Sequence, residues 1–157
     1  ENPPNGDISV DSVTGTAMLI DREKLKLIND WDTNIFNYFE DMDLCLRFRL
    51  MGFEIIKIRE SEVDHDPFAS HKKNFIKEMD FSRNWHYSWS RFYFLKKHTN
   101  IFNAYKYGIL MLIKSFFKSI FYILFKKSKS VTHFAKACGV FYAILNLKPT
   151  YRPKIKL

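Results

Sequence analysis

A chain of 157 residues has the length of one ordinary domain, or of part of a larger one. Hydrophobic residues make up 46% of it and aromatic residues 17%, 16 of them Phe, which excludes a disordered tail. The net charge of +8 is unevenly divided: residues 1–80 hold all 17 acidic residues and 10 of the 25 Lys and Arg, while residues 81–157 hold the other 15 and no acid. An acidic half can host chemistry, whereas a basic half seeks anions.

The opening ENPPNGD is polar and rich in turn residues, and it reads as the middle of something longer. Residues 13–20, VTGTAMLI, are apolar and β-prone, which predicts a buried strand with Gly15 at its mouth. Asp21 can cap a short helix over DREKLKLI, with Leu25 and Ile28 turned inward. NDWDTNIFNYF then mixes turn residues with large aromatics, as loops that line a site often do.

The spacing predicts a helix from about Asp41 to Met51, with Leu44, Phe48 and Met51 on one face. Asp43 and Arg47 stand four apart and can pair, and Gly52 supplies the left-handed residue that ends the helix. FEIIKI reads as a strand and SEVDH as a shorter one, so the first half has the pattern of an α/β sheet. Helices follow through NWHYSWSRFYFLKK, over 102–125 and over about 131–146. Cys45 and Cys138 sit apart among apolar residues, which predicts reduced, buried thiols in a cytosolic compartment.

Glu40, Asp41 and Asp43 crowd the start of the predicted helix. Acids in a first turn are stabilised there by the helix dipole and the free N–H groups, so capping alone accounts for their presence. A catalytic base needs more: a carboxylate fixed in direction and a wall for the substrate. An aromatic loop before the cluster and an apolar helix face behind it supply both. Asp41 and Asp43 spell D-x-D, but residues two apart on a helix point about 200° from each other and cannot chelate one ion.

The run VTGTAMLIDRE, then WDTNIFNYFEDMDLCLRFRLMGFEI, then SEVDH resembles the second half of an inverting family 2 glycosyltransferase of the GT-A fold. The match rests on Gly15, Met18, Leu19, Asp32, Phe36, Tyr38, Phe39, Glu40, Asp41, Asp43, Leu44, Cys45, Arg47 and Gly52, and spans about residues 10–70. The fullest resemblance is to rhamnosyltransferase-like members that build bacterial surface polysaccharides. The resemblance implies that Asp41 is the general base that deprotonates the acceptor hydroxyl, with Glu40 orienting the acceptor or the base. It puts Gly15, Thr16, Asp32 and Tyr38 on the substrate side. Trp31, where the family carries Gly, is added there as a residue that can stack on a sugar.

Arg47 is expected to brace Asp43 rather than touch substrate. His65, 24 residues after Asp41, stands where metal-dependent relatives place a ligand to Mn²⁺ or Mg²⁺, whose remaining ligands would lie outside this chain. A zinc site from His65, Asp66 and His71 lacks a fourth ligand at the usual spacing. The family's nucleotide-binding half would precede residue 1.

In the basic half, six aromatic residues fall between Trp85 and Phe94, and Trp85 and Trp89 are expected to be buried. Residues 101–125 are apolar but carry Lys106, Lys114 and Lys118 at helical spacing. Two lysines near the centre of a spanning helix would cost about 2.5–3.5 kcal/mol each, so the helix is expected to lie in the interface. Lys126, Lys127 and Lys129 add attraction for anionic lipid, and continuous apolar stripes argue against a nucleic-acid surface.

The sequence thus predicts the C-terminal part of an α/β GT-A domain followed by an α-helical membrane-interfacial tail. Its segments would be an acceptor-side half over 1–70, an aromatic packing helix over 71–100 and a membrane-associating region over 101–157. The expected activity is inverting transfer of a sugar, rhamnose by resemblance, from a nucleotide sugar to a glycan or lipid-linked acceptor. The expected place is the inner face of the cytoplasmic membrane, peripherally bound. The rival expectation is a non-catalytic module that binds membrane or a partner.

Overall fold

The computed structural model describes residues 6–65 and 75–153. About 60% of the described residues are helical, and the described strands form a single two-stranded sheet. The expected α/β GT-A architecture is therefore not what this chain forms: it is mostly helical. The described residues separate into two compact units, one from 6–33 with 40–65 and one from 34–39 with 75–153.

In the first unit β1 (Ile8–Val10) pairs antiparallel with β2 (Ile55–Lys57), Ile8 opposite Lys57 and Val10 opposite Ile55. Three residues each is as far as the pairing extends. Residues 13–20, expected as a buried strand, instead turn at 15–17 and are otherwise irregular, and Leu19 is fully exposed. Residues 61–65 form no strand either, and FEIIKI is reduced to the three residues of β2. The reason is that apolar, β-branched composition gives a strand only where a neighbour satisfies its backbone N–H and C=O groups.

α1 (Arg22–Leu27) starts as expected, with Asp21 Oδ1 accepting from the N–H of Glu23 at 2.9 Å and of Lys24 at 3.3 Å. α2 (Glu40–Leu50) buries Leu44 and Phe48 against Ile28, with Met18, Leu25 and Phe53 at the margin, and buries Cys45 as well. Met51 departs from the expected face and is exposed, because the helix ends at Leu50 and the period ends with it. Gly52 takes φ +83°, the left-handed turn that the sequence predicts there.

The second unit holds α3 (Ile76–His98), α4 (Ile101–Phe125) and α5 (Lys127–Ile144). Its core is Trp85, Trp89 and Phe92 of α3 against Ala135, Val140 and Ala143 of α5. The indole N–H of Trp89 donates to the carbonyl of Leu147 at 2.8 Å, so the large ring is buried without an orphaned donor. Asn100 caps α4 by accepting from the N–H of Phe102 at 2.8 Å. α3 and α5 approach closely at Gly139: a Cβ there would lie 2.1 Å from the carbonyl oxygen of Trp85.

Segment 34–39 belongs to this second unit. Ser90 Oγ donates to the carbonyl of Asn37 at 2.7 Å, Phe36 packs on the His86 ring, and Phe39 touches Tyr87 and Phe94. Tyr38 and Phe39 both have positive φ, 67° and 66°, which costs each of order 1–3 kcal/mol. The ring contacts along α3 offset that strain. His86 is fully buried, and its Nε2 bonds the carbonyl of Tyr151 at 2.9 Å, so Nε2 carries the proton and Nδ1 is left without a partner. Burial, and more weakly the charge of Arg152, push this imidazole below its ordinary range, against the bond to Tyr151.

Candidate functional site

Asp41, the second residue of α2, has both carboxylate oxygens engaged by backbone donors. Oδ1 accepts from the N–H of Met42 at 2.7 Å, and Oδ2 accepts from the N–H of Gly15 at 2.9 Å. The second bond spans 26 residues and fixes the carboxylate in direction against the irregular 13–20 segment. Glycine is not demanded there by space, because a Cβ on residue 15 would meet Asp41 only at ordinary contact, 3.7–3.8 Å. Its N–H is what the site uses.

On either side of Gly15, Thr14 and Thr16 share a weak hydroxyl contact of 3.4 Å. Both threonines line an open, largely apolar cleft of about 1060 Å³ bounded by Met18, Leu44, Phe48 and the β2 segment. Gly15 thus stands between two residues of the cleft wall, while neither Asp41 nor Glu40 lines the cleft. Glu40 is the second feature. Its Oε2 is buried with no hydrogen-bond partner, and its carboxyl is pushed above the ordinary value, mostly by burial and further by the charge of Asp41. The two carboxyls are adjacent yet differ in environment, which is how acid and base roles are commonly set apart.

Arg47 does what was expected of it and more. Its Nε pairs with Asp43 Oδ2 at 2.8 Å, and Asp43 is fully buried. Its Nη1 donates to the carbonyls of Ile28 at 2.5 Å and Asp30 at 2.7 Å. Asn29 and Asp30 are both left-handed, φ 60° and 56°, so Arg47 fastens a strained turn immediately before Trp31 and Asp32. This anchoring role was missed. An Arg four residues after an Asp that falls on the buried side of its helix was the available signal.

Of the expected substrate residues, Gly15 is brought to the Asp41 carboxylate and Thr16 to the cleft, which neither Glu40 nor Asp41 lines. Trp31 is partly exposed just past the Arg47-fastened turn, and Asp32 is half-buried beside it. Tyr38 belongs to the second unit, where its ring meets Tyr87 edge-on at 5.9 Å. His65 is exposed, and among the described residues no three His, Cys, Asp or Glu side chains gather as a metal site. Asp66 and His71 lie outside the described residues. Both cysteines are free thiols, Cys45 buried and Cys138 half-buried, and burial pushes each above its ordinary value. Neither is poised as a nucleophile.

A smaller cavity of about 440 Å³ in the second unit is lined by Trp89, Tyr93, Lys96, Lys97 and Lys148. No local pattern marks it, because residues 96 and 148 meet only once α3 and the segment after α5 are packed. No family model, curated protein or solved structure matches this chain.

Proposed function

We propose that Asp41 is the acceptor-activating base of an inverting, nucleotide-sugar-dependent glycosyltransferase of surface polysaccharide synthesis. The reading rests on the motif resemblance around Glu40-Asp41. The single structural observation in its favour is a carboxylate held by two backbone N–H groups from separate segments, one of them Gly15, whose neighbours Thr14 and Thr16 line a large cleft. A base so held is fixed in direction before substrate arrives.

In the reaction, an acceptor hydroxyl donates its hydrogen bond to Asp41. Its oxygen attacks the anomeric carbon from the face opposite the nucleotide, the C–O bond to the diphosphate breaks, and that bond's electron pair leaves with the nucleoside diphosphate. The hydroxyl proton passes to the Asp41 carboxylate. Glu40, held nearer its protonated form by burial, orients the acceptor or the base. Thr16 and the Gly15 segment line the acceptor side, and Trp31 and Asp32 are the other substrate residues of this reading within the first unit. Rhamnose is the sugar favoured by the resemblance, the acceptor is a glycan or lipid-linked glycan, and the place is the cytoplasmic face of the membrane.

A divalent cation, Mn²⁺ or Mg²⁺, would neutralise the leaving diphosphate in the metal-dependent relatives. Here His65 is the one residue proposed for it, and the described residues do not assemble a ligand set around it. No step is derived through a cation.

A second reading follows from the same bonds: both Asp41 oxygens are already engaged, so the residue could serve only to clamp the Gly15 segment in a non-catalytic binding module. Asp41→Asn separates the two, assayed in the full reading frame that encodes this chain. As a base, Asp41 requires that transfer to a lipid-linked acceptor fall by about 10²–10⁴ while the fold persists. Near-normal turnover in that variant assigns Asp41 to clamping alone.

A further inference from the structure

α4 is packed inside out. The side chains it buries are small: Ala104, Gly108, Ser115 and Ser119. A Cβ on Gly108 would sit 2.6 Å from the Phe92 ring, so the helices approach as closely as a bare backbone allows. The side chains it exposes are large, among them Leu110, Ile113, Phe116, Phe117, Ile120 and Phe121, and Phe117 is 64% exposed. At 100° per residue these six share one arc, opposite the small-residue seam. A protein that ends in water does the reverse, burying large side chains and exposing small and polar ones. Seams of small residues with large apolar side chains outward are how helices pack where the surrounding medium is lipid.

We propose that this outward face of α4 is immersed in the acyl layer of an anionic phospholipid bilayer, with the helix axis in the membrane plane. The charge selects the occupant. Neither α4 nor α5 contains an acid, and no acid occurs after Asp80. Lys114 and Lys118 lie along the border of the apolar arc, and Lys126, Lys127 and Lys129 follow its end. Cations from both helices converge there: burial, then Lys136, Lys118 and Lys129, hold the His133 imidazole below its ordinary range. A second copy of this chain would bring the same cations against one another. Lipid phosphates neutralise them.

The in-plane orientation follows from the same residues. By length and composition α4 could cross a membrane. Crossing would put Lys114 and Lys118 near mid-depth. It would also take α5 along, because the seam joins the two helices. At that seam the hydroxyl of Ser130 donates to the carbonyl of Ser119 at 2.8 Å, and the hydroxyl of Ser119 to the carbonyl of Ser130 at 3.1 Å. α5 would then carry His133 and Lys136 into the acyl layer. Lying flat, the apolar arc meets lipid while Lys114 and Lys118 at its border reach phosphate, and Lys106, which projects from the middle of that arc near the helix start, has to run its long stem back to the phosphate level.

This inference is independent of the transfer reaction, since membrane binding needs neither donor nor acceptor. The test is co-sedimentation of the full chain with phosphatidylcholine vesicles, with and without phosphatidylserine. Binding to the anionic vesicles is expected. Phe117→Asp/Phe121→Asp, which alters only outward side chains, should weaken it at least tenfold with helicity unchanged by circular dichroism. Lys114→Gln/Lys118→Gln should weaken binding less and flatten its salt dependence. A Phe117→Trp variant then reports depth, and quenching should be strongest by bromines on the upper part of the acyl chains. Four results overturn the proposal: no preference for anionic vesicles, binding that ignores the Phe117/Phe121 change, quenching strongest at the bilayer centre, or a stable dimer in solution that loses its association when Phe117 is changed.

Discussion

α3 and α4 are neighbours in one unit, similar in length and both rich in aromatics, yet they are turned opposite ways. α3 buries Trp85, Trp89 and Phe92. α4 buries Ala104, Gly108, Ser115 and Ser119 and leaves Phe116, Phe117 and Phe121 outside. The contrast teaches that aromatic content alone says nothing about which face of a helix is the core. What decides is the shape of the neighbour: α5 presents Ala135, Gly139 and Ala143, whose small side chains leave room for the tryptophans of α3. α4 in turn comes close only where its own residues are small.

The sharpest way to break the contrast is to truncate one aromatic on each helix. Trp89→Ala, which removes a buried ring and its bond to Leu147, should cost about 3–5 kcal/mol in urea unfolding. Phe117→Ala should stay within about 0.5 kcal/mol in aqueous buffer. Equal losses would mean that α4's outward face is part of a core after all.

A smaller loss is expected at the closest backbone approach. Gly139→Ala places a methyl against the Trp85 carbonyl and should cost about 1–3 kcal/mol, whereas an alanine at Gly15, whose Cβ would meet Asp41 only at ordinary contact, should be tolerated. Thermal melts of the two variants side by side check this, and an unperturbed Gly139→Ala would show that α3 and α5 are less tightly joined. Ser130→Ala tests the polar seam of α4 and α5. It removes the donor to the Ser119 carbonyl, for an expected loss of about 1 kcal/mol.

The smallest effect lies in the acidic unit and concerns pH. Burial raises the folded-state pKa of Glu40 above its ordinary 4.5, so the folded chain holds that proton more tightly than the unfolded chain. The stabilisation is complete below pH 4.5 and is lost as pH rises through the raised value. Glu40→Gln should therefore melt slightly higher than wild type at neutral pH, with the difference vanishing in acid. A melting difference that does not change with pH would mean that Glu40 is not titrating as its burial implies.

Much of the helical structure was legible in the sequence because its signals are local. The Asp21 cap, the Gly52 stop, the Asp43–Arg47 pair and the burial of Trp85 and Trp89 each depend on residues within a turn or two. The strands were legible only in part: β2 falls inside FEIIKI, but residues 13–20 have the composition of a strand and find no strand partner among the described residues, and β1 carried no signal. At the candidate site the sequence marked Asp41 and Glu40. It could not show that Asp41 reaches the Gly15 N–H or that Glu40 lacks a partner, because both depend on packing between distant segments.

The approximate places of the helices, the Asp21 cap, the Gly52 stop and the separation of acidic from basic residues could thus be read from the chain, because all are matters of near neighbours. α3, though, begins at Ile76, ahead of the expected Asn84. Packing settled that α4 faces outward with its phenylalanines, that Arg47 holds the turn before Trp31, and that residues 13–20 form no strand among the described residues. Those outcomes turn on what shape and which hydrogen-bonding groups a neighbour presents, and a periodicity along one chain contains neither.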